Sequence, residues 1–454
     1  MPTDDFLSGT GAPLTRRQRG EVALIAVLLG VALTFPMLRT ANWFLFDVVQ
    51  DASFTEGSRL TQVVFGSIFL VAGLLVWRYG ALLWPQLRRT NPFLLAMVAW
   101  ACLTMLWSPA PDTTLKRCVQ LVGLLLLGLT LTLPWLSPRL LTSVLIRALT
   151  ALVIVSAVVS VLLPAIGVDP IRGNAWRGIT WHKNTLGAAA AFACLLWVIA
   201  LATQRVTPRA GLLGLLVLGG VLLLAKSSTA LATGIIAIGV FLFMRRRFVA
   251  DVNLGTVLAL SLALVLGSAL MAFFAVMGRL PTWAELMTPV TTLLNRDADL
   301  TGRTELWELV LFQAIQHPLR GLGYGAFWLN VGSASQYIID LVGWVPLQAH
   351  SAYVDIFNEM GLVGLLLFVG TVVWHISALR QIGRTDPDFA ATHWAVLALI
   401  LVSNVAETQI FNGVSFQNNL FFFSVILVAA RKHRLPRRQP VPVAFFPVGS
   451  ARLP

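Results

Sequence analysis

Residues 140–164 read LLTSVLIRALTALVIVSAVVSVLLP, 25 positions that carry one charge, Arg147. At about 1.5 Å per helical residue, such a run reaches across the roughly 30 Å hydrocarbon core of a bilayer. It reads as a membrane-spanning helix, and the pattern repeats on both sides of it. Further apolar segments lie at 21–38, 61–79, 92–107, 118–134, 184–203, 210–225, 228–244, 255–277, 352–376, 391–409 and 417–431. The third and seventh spans in chain order are short and read as tilted or re-entrant. The whole chain of 454 residues agrees: 57% of it is apolar and 12% charged, where soluble domains carry about 25% charged residues. Mean hydropathy is +0.79. These values exclude a soluble enzyme, a disordered chain and a fibrous protein. Long unbroken runs, rather than alternating ones, point to helices and not to a β-barrel. The expected fold is all-α, a polytopic integral membrane protein of about 12 transmembrane helices.

Charge sets the expected orientation. Lys and Arg number 33 against 20 Asp and Glu. Most of the excess sits in short clusters between apolar runs, which is a topology signal and not a nucleic-acid face. The clusters are Arg16/Arg17/Arg19, Arg78/Arg88/Arg89, Arg139, Arg205/Arg209, Arg245–Arg247, Arg380/Arg384, and Arg431 to Arg438. All fall on one side if the spans number twelve, and both termini are then cytoplasmic. The first span reads as uncleaved, because no small-residue cleavage site follows it. The expected organisation is a cytoplasmic segment 1–20, spans one to nine over 21–277, a periplasmic loop 278–351, spans ten to twelve over 352–431, and a cytoplasmic tail 432–454. The loop is far longer than an ordinary connection, and such loops are usually functional. Thr301 to Gln316 reads as a helix with Thr301 as its cap and Pro318 as its stop. Cys102, Cys118 and Cys194 lie in or beside apolar runs without metal or disulfide spacing, so they read as small buried hydrophobes.

Cations on the opposite side need a reason. Arg172, Arg177, Lys183, Lys226, Arg279, Arg296, Arg303 and Arg320 form that set, and Lys116 and Arg117 join it. As a group they suit an anion at the membrane surface, since Arg offers a planar fork to phosphate oxygens. Taken singly, each is also ordinary solvated surface. Arg303 opens a helix, where backbone amides favour an anion too, and Trp307 shares its face. Among six histidines, His182 and His350 fall on this side. His375 and His393 are expected at the cytoplasmic ends of their spans. His350 precedes HSAYVDIFNEMGLVG, where a helix N-terminus favours neutral imidazole and general-base work, or simple capping. Tyr353 lies on the same helical face. Asp297 and Asp299 resemble half a carboxylate cluster, but no metal-binding, nucleophile-elbow or P-loop motif is present, so no metal or cofactor is expected.

Taken together, these motifs resemble the superfamily of O-antigen ligases and O-antigen and exopolysaccharide polymerases, bacterial membrane glycosyltransferases. The residues that carry the resemblance are His350-Ser351 with Gly361-Leu362-Val363-Gly364, and Trp176-Arg177-Gly178 with His182-Lys183-Asn184. To these are added Gly302-Arg303-Thr304 with Trp307, His317-Pro318-Leu319 with Gly321-Leu322-Gly323, and Lys226-Ser227-Ser228-Thr229. The resemblance implies transfer of a glycan from undecaprenyl diphosphate to an acceptor hydroxyl at the periplasmic face of the inner membrane. The acceptor is lipid A–core in ligases and a growing polysaccharide in polymerases. It also implies a metal-independent reaction without a nucleotide sugar. Carried over by position, His350 is the base and Arg303 and Arg177 hold the diphosphate. His182, Lys183, Lys226, Arg320, Trp307 and Tyr353 are further candidate contacts. His182 orders its loop or meets sugar, and Asn184 is read as a cap.

Two other classes fit part of the pattern. A transporter or flippase also uses many spans, but ion-coupled carriers keep acids inside the bilayer. Here Glu359 and Glu407 are the few candidates, and both are expected near the outer mouth. A non-catalytic scaffold makes His350 dispensable. The His-Lys-Asn segment leans toward a polymerase of exported polysaccharide.

Overall fold

The computed structural model describes residues 13–39, 59–170, 173–248, 301–329 and 332–434, with backbone alone at 248 and 301–304. In chain order the helices are α1 (Arg16–Thr34), α2 (Arg59–Arg78), α3 (Gly80–Arg89), α4 (Pro92–Leu103), α5 (Pro111–Thr130), α6 (Leu140–Leu162) and a single turn, α7 (Pro164–Gly167). A two-residue hairpin follows, β1 (Val168–Asp169) against β2 (Ala175–Trp176). Then come α8 (Lys183–Ala202), α9 (Pro208–Leu224), α10 (Ser228–Phe248), α11 (Thr301–Ala314), α12 (Gln336–Val342), α13 (Ala352–Ile382), α14 (Pro387–Ala406) and α15 (Phe416–His433).

The helix starts follow from local chemistry. Thr15 and Gln18 form a capping box ahead of α1. Asn91, Thr207 and Asp386 cap α4, α9 and α14, each followed by proline at the first helical position, where its missing N–H costs nothing. Basic residues close α10 and α15, where the dipole favours them.

Eight helices are long and apolar enough to cross a bilayer: α1, α2, α5, α6, α8, α10, α13 and α14. A ninth crossing arises if α3 and the α4 segment, bent by 95°, form one broken span. The described residues therefore carry eight or nine candidate spans, where the sequence predicts about twelve. The difference has three parts. Helix α9 is short, and α15 begins with Gln417, Asn418 and Asn419 and ends in Arg431, Lys432 and His433. The predicted ninth span, 255–277, lies outside the described residues, as do Arg172, Arg279, Arg296, Asp297 and Asp299.

Helix α15 is the axis of the bundle. Every residue from Phe416 to Ala430 is buried, which is the pattern of a helix enclosed on all sides. It packs against α1, α5, α13 and α14; α10 lies along α14, and α8 sits between α6 and α9. His375 and His393, expected at span ends, are instead buried within α13 and α14, and His393 Nδ1 pairs with Ser424 at 2.7 Å. Cys118 and Cys194 are buried and Cys102 half-buried, all as free thiols.

Candidate active site

The site is built around a break in α13. At Gly361 the backbone turns to φ +67°, ψ −169°, a region open essentially to glycine alone. A helix interrupted at membrane depth frees carbonyls and amides that water cannot satisfy. Residues 318–323 satisfy them. Leu322 and Gly323 amides donate to the Asn358 and Glu359 carbonyls at 3.0 and 2.9 Å. Leu362 and Val363 amides donate to the Pro318 and Leu319 carbonyls at 2.8 and 3.2 Å. The indoles of Trp100 and Trp107 bond the Met360 and Gly321 carbonyls. The chains approach so closely that a side chain at Gly321 or Gly361 would strike the other segment's backbone. Two glycine motifs far apart in sequence are thus the two halves of one joint.

Above the joint, the loop that precedes α13 is held down by two groups. Trp307 on α11 donates its indole N–H to the Ala349 carbonyl at 2.7 Å. Buried Asp355 on α13 accepts from the Ala349 amide at 3.1 Å, the Trp328 indole at 2.8 Å and the Thr408 hydroxyl at 2.6 Å. His350 lies between these anchors, just before the N-cap residue Ser351. Its φ is +53°, a strained value for a residue with a side chain and one often retained at functional positions.

The imidazole Nδ1 lies 3.5 Å from Glu407 Oε2 and 3.3 Å from the Gln348 amide nitrogen. No described residue engages Nε2. Glu407, at the end of α14, also accepts from Gln348 at 3.1 Å and from Asn184 on α8 at 3.3 Å. The His-Lys-Asn segment and the His-Ser segment, which sequence separates by more than 160 residues, converge on one carboxylate. His182 caps α8 by accepting the Asn184 amide at 3.1 Å. The cap is therefore His182, where the sequence suggested Asn184.

The remaining predicted residues fall in two groups. Lys183 Nζ donates to the Lys226 carbonyl at 3.3 Å, and Lys226 Nζ to the Gly173 carbonyl at 2.8 Å. Arg177 Nε donates to the Ile166 carbonyl at 3.0 Å. These cations gather around the hairpin and the start of α8. Elsewhere, Arg320 is exposed and stacks over Trp107 at 5.8 Å. Tyr353 is tied by its hydroxyl to the Leu401 carbonyl at 2.6 Å, and Trp307 by its indole to Ala349, so both polar atoms are already committed within the protein. Arg303 lies in α11, whose described part opens at Thr301 with Thr301 already helical, where the sequence had it as the cap. The Arg303 side chain lies outside the described residues.

Next to His350 opens a small cleft lined by Arg117, Trp328, Gln348, Asp355, Glu359 and Thr408, among others. Glu359 is buried and accepts from the Gly325 amide at 2.8 Å, and Arg117 donates to Asn412 at 3.0 Å. Tyr324 lies behind, fully buried, and that burial pushes its phenol far above the usual range, with Arg117 opposing the shift. Among the described residues, no group of three His, Cys, Asp or Glu side chains is placed to hold a metal ion. Gln348, Glu407 and Asp355 were not singled out as site residues by sequence, and Arg117 was named only as one of the outward cations. Of the three, Glu407 carried a usable signal, an acid at the end of an apolar span.

The stretch that contains α11, the joint and His350 decides the kinship. Residues 213–369 match the O-antigen ligase family model. Over 380 residues the chain is also 27% identical to Exopolysaccharide production protein ExoQ of Rhizobium meliloti (strain 1021), covering 79% of this chain and 80% of that protein. The resemblance read from the motifs is borne out: this multi-pass membrane protein is similar to the O-antigen ligases over residues 213–369 and, at greater distance, to an exopolysaccharide production protein over most of its length. In this chain, Trp307, Arg320, His350 and Gly361 fall within the matched stretch, while Asn184 and Glu407 complete the site from outside it.

Proposed function

We propose that the protein is a glycosyltransferase that moves a glycan from undecaprenyl diphosphate to an acceptor hydroxyl at the periplasmic face of the inner membrane. The named relative acts in exopolysaccharide production, so the preferred acceptor is a growing exported polysaccharide and not lipid A–core. The observation that carries the reading is His350, with Nδ1 engaged, Nε2 open, and a cluster of cations at the same end of the bundle.

In the proposed step the acceptor O–H gives its proton to His350 Nε2 while its oxygen bonds to the anomeric carbon. The bond from that carbon to the diphosphate oxygen breaks, and its electron pair leaves with the diphosphate. Arg303 and Arg177, with Lys183 and Lys226, stabilise the charge that collects there. Residues 278–351 form the periplasmic segment of the site in this reading. No nucleotide sugar or ATP enters, because the diphosphate is the leaving group, and the step is written without a metal.

The test uses purified full-length protein with a polyprenyl-diphosphate-linked glycan and acceptor, with and without chelator. Loss of a general base typically costs about 10²–10⁴ in rate. His350→Gln keeps size and hydrogen bonding but not basicity, and is expected to fall by that factor while still binding donor. Arg303→Lys keeps charge but not the bidentate fork, and is expected to lose most turnover. Wild-type turnover in His350→Gln removes the base from His350. Activity abolished by chelator removes the metal-independent step.

A further inference from the structure

Neither the sequence motifs nor the proposed chemistry gives a role to Glu407. It closes α14, and its side chain bends back over the start of α13 to the imidazole. Each oxygen has a neutral donor that fixes it: Asn184 Nδ2 at 3.3 Å on Oε1, and Gln348 Nε2 at 3.1 Å on Oε2. Gln348 is itself oriented, since its carbonyl accepts the Thr408 amide at 3.2 Å. Thr408 is then pinned by its hydroxyl to Asp355 at 2.6 Å. Three helices, α8, α13 and α14, thus fix a carboxylate 3.5 Å from one nitrogen of one histidine.

We propose that Glu407 is a positioning residue for His350, accepting a hydrogen bond from Nδ1–H and so reserving Nε2 for the acceptor hydroxyl. The inference rests on the reading of His350 as base. Two arrangements compete at Nδ1. It accepts from the neutral Gln348 amide, or it donates to the Glu407 carboxylate. Only the second leaves Nε2 free of a proton, and a charged acceptor forms the stronger bond. The 3.5 Å separation is long for a hydrogen bond, as catalytic contacts often are before substrate binds and tightens them. During transfer the proton arrives on Nε2, Nδ1 keeps its own, and Glu407 stays ionised beside the imidazolium. The proton leaves to water after the product does. Among the described residues, the charged groups that act on the ring are Glu407 and, one turn into α13, Asp355; Gln348 and Asn184 are neutral, and Lys183 starts the helix that carries Asn184.

The distinguishing measurement is kcat against pH on the full-length enzyme, for wild type, Glu407→Gln, Glu407→Asp and His350→Gln. Removing the anion weakens the imidazolium, so the base stays deprotonated to lower pH. Glu407→Gln is expected to lose about ten- to a hundredfold in kcat, with the acid limb moved down by about one pH unit. Glu407→Asp keeps the charge with a shorter reach. It is expected to hold the wild-type limb while kcat falls less, and it serves where Glu407→Gln does not fold. The inference is overturned if Glu407→Gln matches wild type in rate, or if its rate falls with the acid limb unmoved, since that is a structural role. It is equally overturned if Glu407→Asp shifts the limb as far as the amide does. Undiminished turnover in His350→Gln instead sinks the base reading beneath it, whatever Glu407 does.

Discussion

The two ends of the bundle handle charge in opposite ways. At the end where α10, α14 and α15 meet, carboxylates are neutralised by arginine: Arg245 with Asp388 at 2.7 Å, and Arg431 with Asp386 at 2.8 Å. Burial and nearby Arg139 push Arg205 below its ordinary range there, with Asp388 and Asp386 opposing the shift. At the His350 end, the carboxylates accept chiefly from neutral donors: Asp355 from Trp328, Ala349 and Thr408, Glu359 from Gly325, and Glu407 from Asn184 and Gln348, with the His350 imidazole beside it. The lysines there point at carbonyls, and no ion pair among the described residues engages Lys183 or Lys226. Arg434, which bonds the Thr132 carbonyl, is a carbonyl-bound exception at the first end. The lesson is that one end uses arginine–carboxylate pairs to hold itself together, while at the other the two lysines, among the described residues, keep their charge without a carboxylate partner. Uncancelled charge at a membrane surface has a use when the ligand is an anion.

Breaking the joint under the second end is expected to give the largest effect. Gly361→Ala forces a Cβ into the Leu319 backbone from a conformation that L residues avoid, at a cost of about 3 kcal/mol or more. Thermal unfolding in detergent should show a lowered midpoint or no folded protein. A wild-type melt means that α13 does not need the break. A smaller effect is expected from removing charge while leaving the scaffold. Lys183→Gln with Lys226→Gln should raise KM for the diphosphate-linked donor about tenfold, about 1.4 kcal/mol, with kcat nearly kept and the melt unchanged. An unaltered donor KM makes those lysines plain surface. The smallest effect belongs to the other end. Asp388→Asn removes the partner of Arg245 in a half-exposed pair, and should cost below about 1 kcal/mol in the melt, less at high salt, with kcat intact. A large loss of turnover there erases the contrast between the ends.

What sequence could and could not reveal follows the range of each interaction. Apolar length is a local property, so eleven of the twelve predicted segments coincide with helices, and the twelfth lies outside the described residues. The lysine and arginine pattern is also local, and Arg245, Arg431 and Arg205 do gather at one end. The short third span reads as tilted or re-entrant, and the 95° bend between α3 and α4 fits a broken or re-entrant span, but α3 itself, with Pro85 inside it, is not predicted. His350 was legible because a polar residue stands at the start of an apolar run. Its setting was not. Glu407 reaches His350 across 57 positions and Asn184 reaches Glu407 across 223, with no periodicity to announce either contact. Trp307 and Tyr353 read as candidate contacts, yet their polar atoms serve the scaffold, which only partners in space reveal.

The joint at Gly361 has a consequence for how the chain is assembled during synthesis. Its two strands of backbone are unequal in time: residues 318–323 leave the ribosome first, and 358–363 follow after a helix and a loop. Until the earlier segment is in place, the later one enters the bilayer with open carbonyls and amides and has reason to insert as one straight rod. A rod of that kind moves the first turns of α13 away from the Trp307 and Asp355 anchors and carries His350 with them. Order of emergence therefore acts as a safeguard. The partner segment is already synthesised when the helix that must bend around it arrives.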